Sequence, residues 1–235
     1  MEGNGASGGQ PVSGPGDVPK PYARRRYYTP DDVARHCSGH DCWVTLFGKV
    51  FDLTHLLAQY KGPLASPITE AAGGDVTHWF DPETKEARRY VDPQSCLEGV
   101  YCPQGRFIHV GPIYPDSAWA TDFGTPWWRD ERYQIGDLTR KTRTVRLLNL
   151  LTRQTTDLVV CSEETLEEIQ ERYLPYNFQA ASYTWKRLAV PLDMSKTLDE
   201  NGMPDDSEEL QSIGLDPDDH VPVIHLYFND DLTEG

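Results

Sequence analysis

The 235-residue chain is 38% hydrophobic, holds 12 Tyr and 6 Trp, and carries a formal net charge of −15. It is long enough for one large domain or two small ones, and apolar enough for real cores. The acidic balance argues against nucleic-acid binding, which calls for a basic face, and disfavours anionic lipid surfaces. The charge is uneven: residues 141–235 hold 8 Lys/Arg against 19 Asp/Glu, while "KPYARRR" near the start is basic. Complementary protein partners and plain solubility both account for that pattern. No apolar run approaches the roughly 20 residues of a membrane span, and no apolar stretch marks a secretory signal. Five Cys without paired spacing fit a reducing compartment, so the chain reads as intracellular and soluble.

Residues 1–22 are rich in Gly, Ser and Pro and are expected to form a disordered tail. Order should begin at "RRYYTPDDVARH", where Thr29 can cap a helix opened by Pro30 and favoured by Asp31 and Asp32. "CWVTLFGKVFDLT" reads as a β-hairpin that alternates Trp43, Thr45 and Phe47 against Val44 and Leu46 and turns at Gly48-Lys49. Thr54 should cap a short helix, "HLLAQY", limited by Pro63; Pro67 can open the next, which Gly73-Gly74 ends. "VTHWFDPETKEARRYVD" looks helical from Thr77, with a restart at Asp81-Pro82.

Residues 93–140 have many Pro, Gly and aromatics and little periodicity. They read as an ordered, irregular connector packing its aromatics on a neighbour or partner, with "GRFIHVG" a short strand. The last part is clearer. "TRTVRLLNLL" and "DLVVCS" are strands joined by a turn, and Ser162, or less strongly Thr165, caps a helix with Leu166, Ile169, Tyr173 and Leu174 at helical spacing. "YTWKRLAVPLD" and "VPVIHLYFND" are further strands of a small mixed sheet over one helix.

"YYTPDDVARH", "KVFDLT" at 49–54 and "AGGDVT" at 72–77, with Trp43 between them, resemble the cytochrome b5 haem-binding domain over residues 27–92. The resemblance departs at the chemistry. The first axial His of that family falls at Tyr60, and "HPGG" has become "YKGP"; after Phe80 the stretch "DPETKEARRY" contains no His. What the resemblance then implies is a haem b site with Tyr60 and Tyr90 as candidate iron ligands and His78 as the other choice. A phenolate is a hard anionic ligand that favours ferric iron, unlike a pair of neutral imidazoles. It needs a phenol pKa near ~10 to be lowered by the iron or by a cation such as Lys61, Arg88 or Arg89. On the same residues, Tyr60 can instead be a core side chain capping an empty or collapsed pocket.

Other chemistry is weaker. "HCSGHDC" gathers His36, Cys37, His40 and Cys42 but lacks the second pair of a zinc site. Cys96 and Cys102 can be read as a redox pair or as free thiols, and no phosphate loop or nucleophile elbow appears. Residues 141–235 resemble a ubiquitin-like β-grasp domain. The acidic "NDDLTEG" end, without Gly-Gly, makes docking rather than conjugation the expectation.

The fold class expected is therefore α+β, with a cytochrome b5-like domain at 23–92, a connector at 93–140 and a ubiquitin-like domain at 141–235. In this order, with "YLPYN", "SYTWK" and "YFNDDLTE", the two domains resemble the cytochrome b5 domain-containing protein 1 family. That resemblance implies a non-catalytic protein of the ciliary or flagellar axoneme. It would dock axonemal partners, radial spoke subunits among them, through the aromatics of 119–128 and the acidic C-terminal face, with no nucleic acid and no membrane as partners. A haem input to ciliary motility would accompany docking; the rival is a one-electron haem redox protein.

Overall fold

The computed structural model describes residues 24–229 apart from 115, 118, 120 and 121. The tail expected at 1–22 and the end of the chain from residue 230 lie outside the described residues. In chain order the elements are β1 (Tyr27–Tyr28), α1 (Pro30–Ala34), β2 (Cys37–Ser38), β3 (Asp41–Leu46), β4 (Lys49–Asp52), α2 (Thr54–Gln59) and α3 (Ser66–Glu70). They continue with β5 (Arg89–Val91), β6 (Glu98–Val100), β7 (Gln134–Leu138), β8 (Thr142–Asn149), β9 (Gln154–Cys161) and α4 (Leu166–Tyr173). The last are β10 (Tyr183–Arg187), β11 (Val190–Pro191), α5 (Ser207–Ser212) and β12 (Val223–Phe228). The fold is mixed α+β with short helices. It divides into two compact units, one of His36–Phe47 and Phe51–Ile135, the other of Arg25–Arg35, Gly48–Val50 and the chain from Gly136.

In the first unit, β2 pairs antiparallel with β3. From Cys42 to Leu46 every residue of β3 is buried, so this strand is covered on both faces and its alternation carries no solvent side. The hairpin after it turns one residue early, at Phe47 (φ 51°) and Gly48 (φ 74°), a pair of left-handed residues whose twist matches the strands. Thr54 is the first residue of α2 and not its cap. Its N–H donates to Asp52 Oδ1 at 3.0 Å and its hydroxyl accepts the Cys42 N–H at 3.0 Å. The AGGD turn is laced to β3 by the Gly73 N–H to Trp43 O, the Thr45 N–H to Gly74 O and the Val76 N–H to Thr45 O.

The helix expected from Thr77 is a single 3-10 turn, Thr77–Trp79. Pro82 cannot sit inside a helix, and Asp81 offers the backbone a competing partner: its Oδ1 accepts the N–H groups of Glu83 and Thr84. The chain bends back at Lys85 (φ 59°), Phe80 bridges to Ala87, and the segment returns as β5 against β6. The strand expected at "GRFIHVG" is a turn, with the Val110 N–H donating to Phe107 O and His109 at φ 71°.

Residues 93–135 belong to the first unit and supply much of its interior. Phe107, Ile108, Val110, Trp127 and Tyr133 join Trp79, Phe80, Phe51 and the α2 leucines in one core. Trp127, expected at a docking surface, is fully buried.

In the second unit the sheet order is β11-β10-β12-β8-β9, with β8 and β12 parallel and the other pairs antiparallel. Arg143, Val145, Leu147 and Asn149 point inward, two apart, as a strand requires. Helix α4 is capped by Thr165 and not by Ser162. Thr165 and Glu168 form a reciprocal capping box, while the Ser162 hydroxyl donates to Lys141 O. Leu166, Ile169 and Tyr173 are buried as spaced, but Leu174 is exposed.

The buried position is taken by Arg172. Its Nε donates to both Glu164 oxygens at 2.7 Å, and its Nη1 donates to Asp32 Oδ2 at 2.7 Å. Asp32 is also held by Thr29 in the cap of α1, and β1 runs parallel to β7. Burial alone would raise Asp32, but Thr29 and Arg172 outweigh it and hold its carboxyl below the ordinary range. A lone charge left in such a site is costly. Arg172→Leu is therefore expected to lower stability by about 3–5 kcal/mol in urea unfolding, because buried Glu164 and half-buried Asp32 lose their cation. A loss under about 1 kcal/mol would contradict this.

Lys141 Nζ lies 2.6 Å from Asp205. Burial raises Asp205, yet the hydrogen bonds from Lys141 and Ser207 dominate and bring it down to about 2. A depressed carboxyl stabilises above its unfolded value, near ~3.9, and loses that contribution as pH falls through the folded value. Asp205→Asn should flatten the fall in melting temperature between about pH 4 and 2; an unaltered acid limb would count against the pair.

Candidate functional site

Each sequence-derived ligand candidate lies in the first unit, in different surroundings. Tyr60 caps the C-terminus of α2, its N–H donating to Leu56 O, and its half-buried ring packs on the core. The ring meets His109 edge-on, centroids 5.2 Å apart at 89°. His78 is exposed in the 3-10 turn, 6.0 Å from the Trp79 ring. Tyr90 is an exposed residue of β5 paired with Gly99 of β6. Among the described residues no ring contact joins Tyr60, His78 and Tyr90.

His109 carried no distinguishing signal in the sequence, being one His in an apolar run. In the structure its Nδ1 accepts the Trp127 N–H at 3.0 Å and its ring stacks on Phe123 at 4.3 Å. That hydrogen bond puts the proton of a neutral ring on Nε2, which is buried without a hydrogen-bond partner. Burial lowers the His109 pKa, with Asp130 pulling the other way. The Tyr60 ring and the His109 ring are packed directly against each other.

The remaining interior is closed by rings. Trp79 stacks on Phe107 at 4.9 Å, and Phe80 and Phe107 meet Trp127 at 5.8 and 6.3 Å. These four side chains are at most 1% exposed. Space opens elsewhere. A groove of about 520 Å³ lies beside β5 and β6, lined by Tyr90, Val100, Cys102, Arg106, Val110 and Ile113 among others. That size and its apolar walls suit a small molecule or cofactor. The residue types also fit a haem: apolar walls for the ring, a phenol donor and a guanidinium for a carboxylate. Burial raises the Cys102 thiol, with the Phe107 N–H and Arg106 opposing. Arg106 lies 5.4 Å over the Trp119 ring. The stretch "GRFIHVG", expected as a strand, supplies Arg106 and Val110 to this groove.

The zinc candidate does not assemble. His36 Nδ1 is 2.7 Å from Asp41, its ring stacks on Trp43, Cys37 is exposed and Cys42 is buried. Among the described residues no three His, Cys, Asp or Glu side chains are grouped to hold a metal ion. Cys96 and Cys102 are free thiols.

Comparison with known proteins places these observations. The family described as cytochrome b5-like heme/steroid binding domain matches residues 29–101. Cytochrome b5 domain-containing protein 1 of Xenopus laevis is 54% identical over 212 residues, 90% of this chain and 98% of that protein. The Homo sapiens protein of the same name is 51% identical over 216 residues, 91% of this chain and 94% of its own length. Cytochrome b5 of Rattus norvegicus is 38% identical over 56 residues, 24% of this chain and 41% of that protein. Haem is thus a cofactor of the class to which the domain at 29–101 belongs. His109, Arg106 and most of the groove lie beyond that match.

Removing His109 leaves the buried Trp127 N–H without an acceptor, at a cost of about 1–3 kcal/mol. His109→Ala should show that loss in denaturant unfolding; a change below about 0.5 kcal/mol would mean the hydrogen bond is not formed in solution.

Proposed function

The chain belongs to the cytochrome b5 domain-containing protein 1 family, and on that premise we propose a non-catalytic component of the ciliary axoneme, associated with radial spokes, that docks partner proteins. The observation that carries the docking role is the apolar surface of the second unit. Phe178 is 85% exposed, Leu188 80% and Ile213 70%. The second unit is a ubiquitin-like β-grasp in this reading, supported by the order β9-β8-β12-β10-β11, the parallel central pair and the single long helix. Its work is contact, and the first unit adds a haem-responsive part. Tagged protein expressed in ciliated cells should label the axoneme and stay there after detergent removes the membrane. Diffuse signal, or loss on extraction, would contradict the assignment.

A second reading, a one-electron haem redox protein, is favoured by the family match at 29–101 and by a groove of about 520 Å³ in the same unit. Haem, when bound, supplies a redox-active iron; with a phenolate ligand the ferric form is favoured. Hemin added to the purified chain is expected to give a saturable Soret band. Its absence would remove haem from both readings and leave docking alone.

A further inference from the structure

We propose that α5 and the turns after it, residues 207–219, form a docking face for a basic amphipathic helix of a partner protein, one that carries Lys or Arg around apolar anchors. The inference rests on the docking reading above and names the partner's chemistry. Over residues 204–223 no side chain is buried, although the stretch holds α5 and a 3-10 turn, Pro217–His220. Isolated helices shorter than about 12–15 residues are marginal in water, so a helix of this length depends on packing. Its own chain buries none of its side chains.

Local sequence sets the face. Glu208 and Glu209 favour the positive end of α5. Gly214, at φ 78°, ends it. The Gly214 N–H donates to Gln211 O at 3.0 Å and the Leu215 N–H donates to Leu210 O at 2.9 Å. This pair of bonds turns the residue after the glycine back onto the last turn of the helix. Leu210, Ile213 and Leu215 therefore gather at one end of α5, the last two exposed. Leu210 also lines a pocket of about 290 Å³ with Met203, Pro217 and Pro222. The Arg143 and Asp205 on its wall are already paired, with Asp199 and Lys141. The pocket thus suits an apolar anchor side chain.

Charge decides the occupant. Residues 199–219 hold nine Asp/Glu and no Lys or Arg. Asp199 and Asp205 are answered by Arg143 at 2.7 Å and Lys141 at 2.6 Å. Asp206, Glu208, Glu209, Asp218 and Asp219 are exposed, and among the described residues none of them has an ion pair. Such a surface repels an acidic partner or a second copy of itself and draws a basic one. Apolar anchors then supply the affinity, as when an amphipathic helix lies in a groove.

The test is anisotropy of a fluorescein-labelled peptide of Lys and Leu at amphipathic-helix spacing, titrated with the full chain. Binding should saturate, and Ile213→Ser/Leu215→Ser, checked for native circular dichroism, should weaken it at least ~10-fold. Glu208→Gln/Glu209→Gln should weaken it too, whereas Glu167→Gln/Glu171→Gln on the exposed side of α4 leaves it unchanged. Equal losses from the two Gln pairs, or none from the Ser pair, would overturn the proposal by showing attraction to net charge alone. A Glu and Leu peptide that binds as tightly would overturn it, as would self-association in light scattering that the Ser pair abolishes. Axonemal labelling that survives the Ser pair would overturn this face and leave the docking reading standing. A wild type that never labels the axoneme would overturn both.

Discussion

The stack of Phe107 on Trp79, closed by Phe80 and Trp127, is the contact on which the first unit depends. Two of these rings come from the stretch matched to the haem-binding family and two from beyond it. Each buried aromatic of this size is worth about 3–5 kcal/mol when truncated. An irregular segment can therefore be fixed without strands or helices of its own. Phe107 is seated between groove residues Cys102 and Val110, and the groove opens between residues 102–114 and the β5–β6 hairpin. The same seating brings His109 against Tyr60. The Trp127 ring meets those of Phe51 and Phe80 nearly at right angles, an arrangement aromatic pairs favour.

Much of this architecture was legible in the residues. The Thr29 cap, the β3–β4 hairpin and the strands and helix of the second unit follow from cap chemistry and hydrophobic period, which are local signals. The failures have physical causes. At 77–92 the pattern looked helical, but Pro82 and the Asp81 carboxylate terminate the turn and send Tyr90 into a strand. At 107–110 three apolar residues, Phe107, Ile108 and Val110, suggested a strand, yet burial by scattered aromatic contacts needs no ladder. Arg172 could not be read as buried, because its partners Glu164 and Asp32 lie 8 and 140 residues away in sequence. Ser162 and Thr165 are both good caps in isolation; Glu168 at the third helical position decides for Thr165.

The candidate site was legible by family likeness and not by geometry. "KVFDLT" and "AGGDVT" mark the scaffold, and the resemblance puts its first axial position at Tyr60. What periodicity could not supply was the wall built by residues 100–116, because long-range packing sets it. The result is a haem-family domain in which Tyr60 packs on His109 and a groove lined by Tyr90 and Arg106 lies beside β5 and β6. In the second unit a pocket of about 290 Å³ is lined by charged side chains, Arg143, Arg187 and Asp205 among them, and large apolar side chains such as Phe178 stand exposed.

Phe107, Ile108, Val110, Trp127 and Tyr133 are buried members of the first core. Amide hydrogen exchange of the full chain, followed by mass spectrometry, addresses that burial directly. Peptides covering Phe107–Val110 and Trp127–Tyr133 should be protected on the same timescale as β3. Exchange at the rate of an unprotected loop would contradict the account, and the groove would lose its wall.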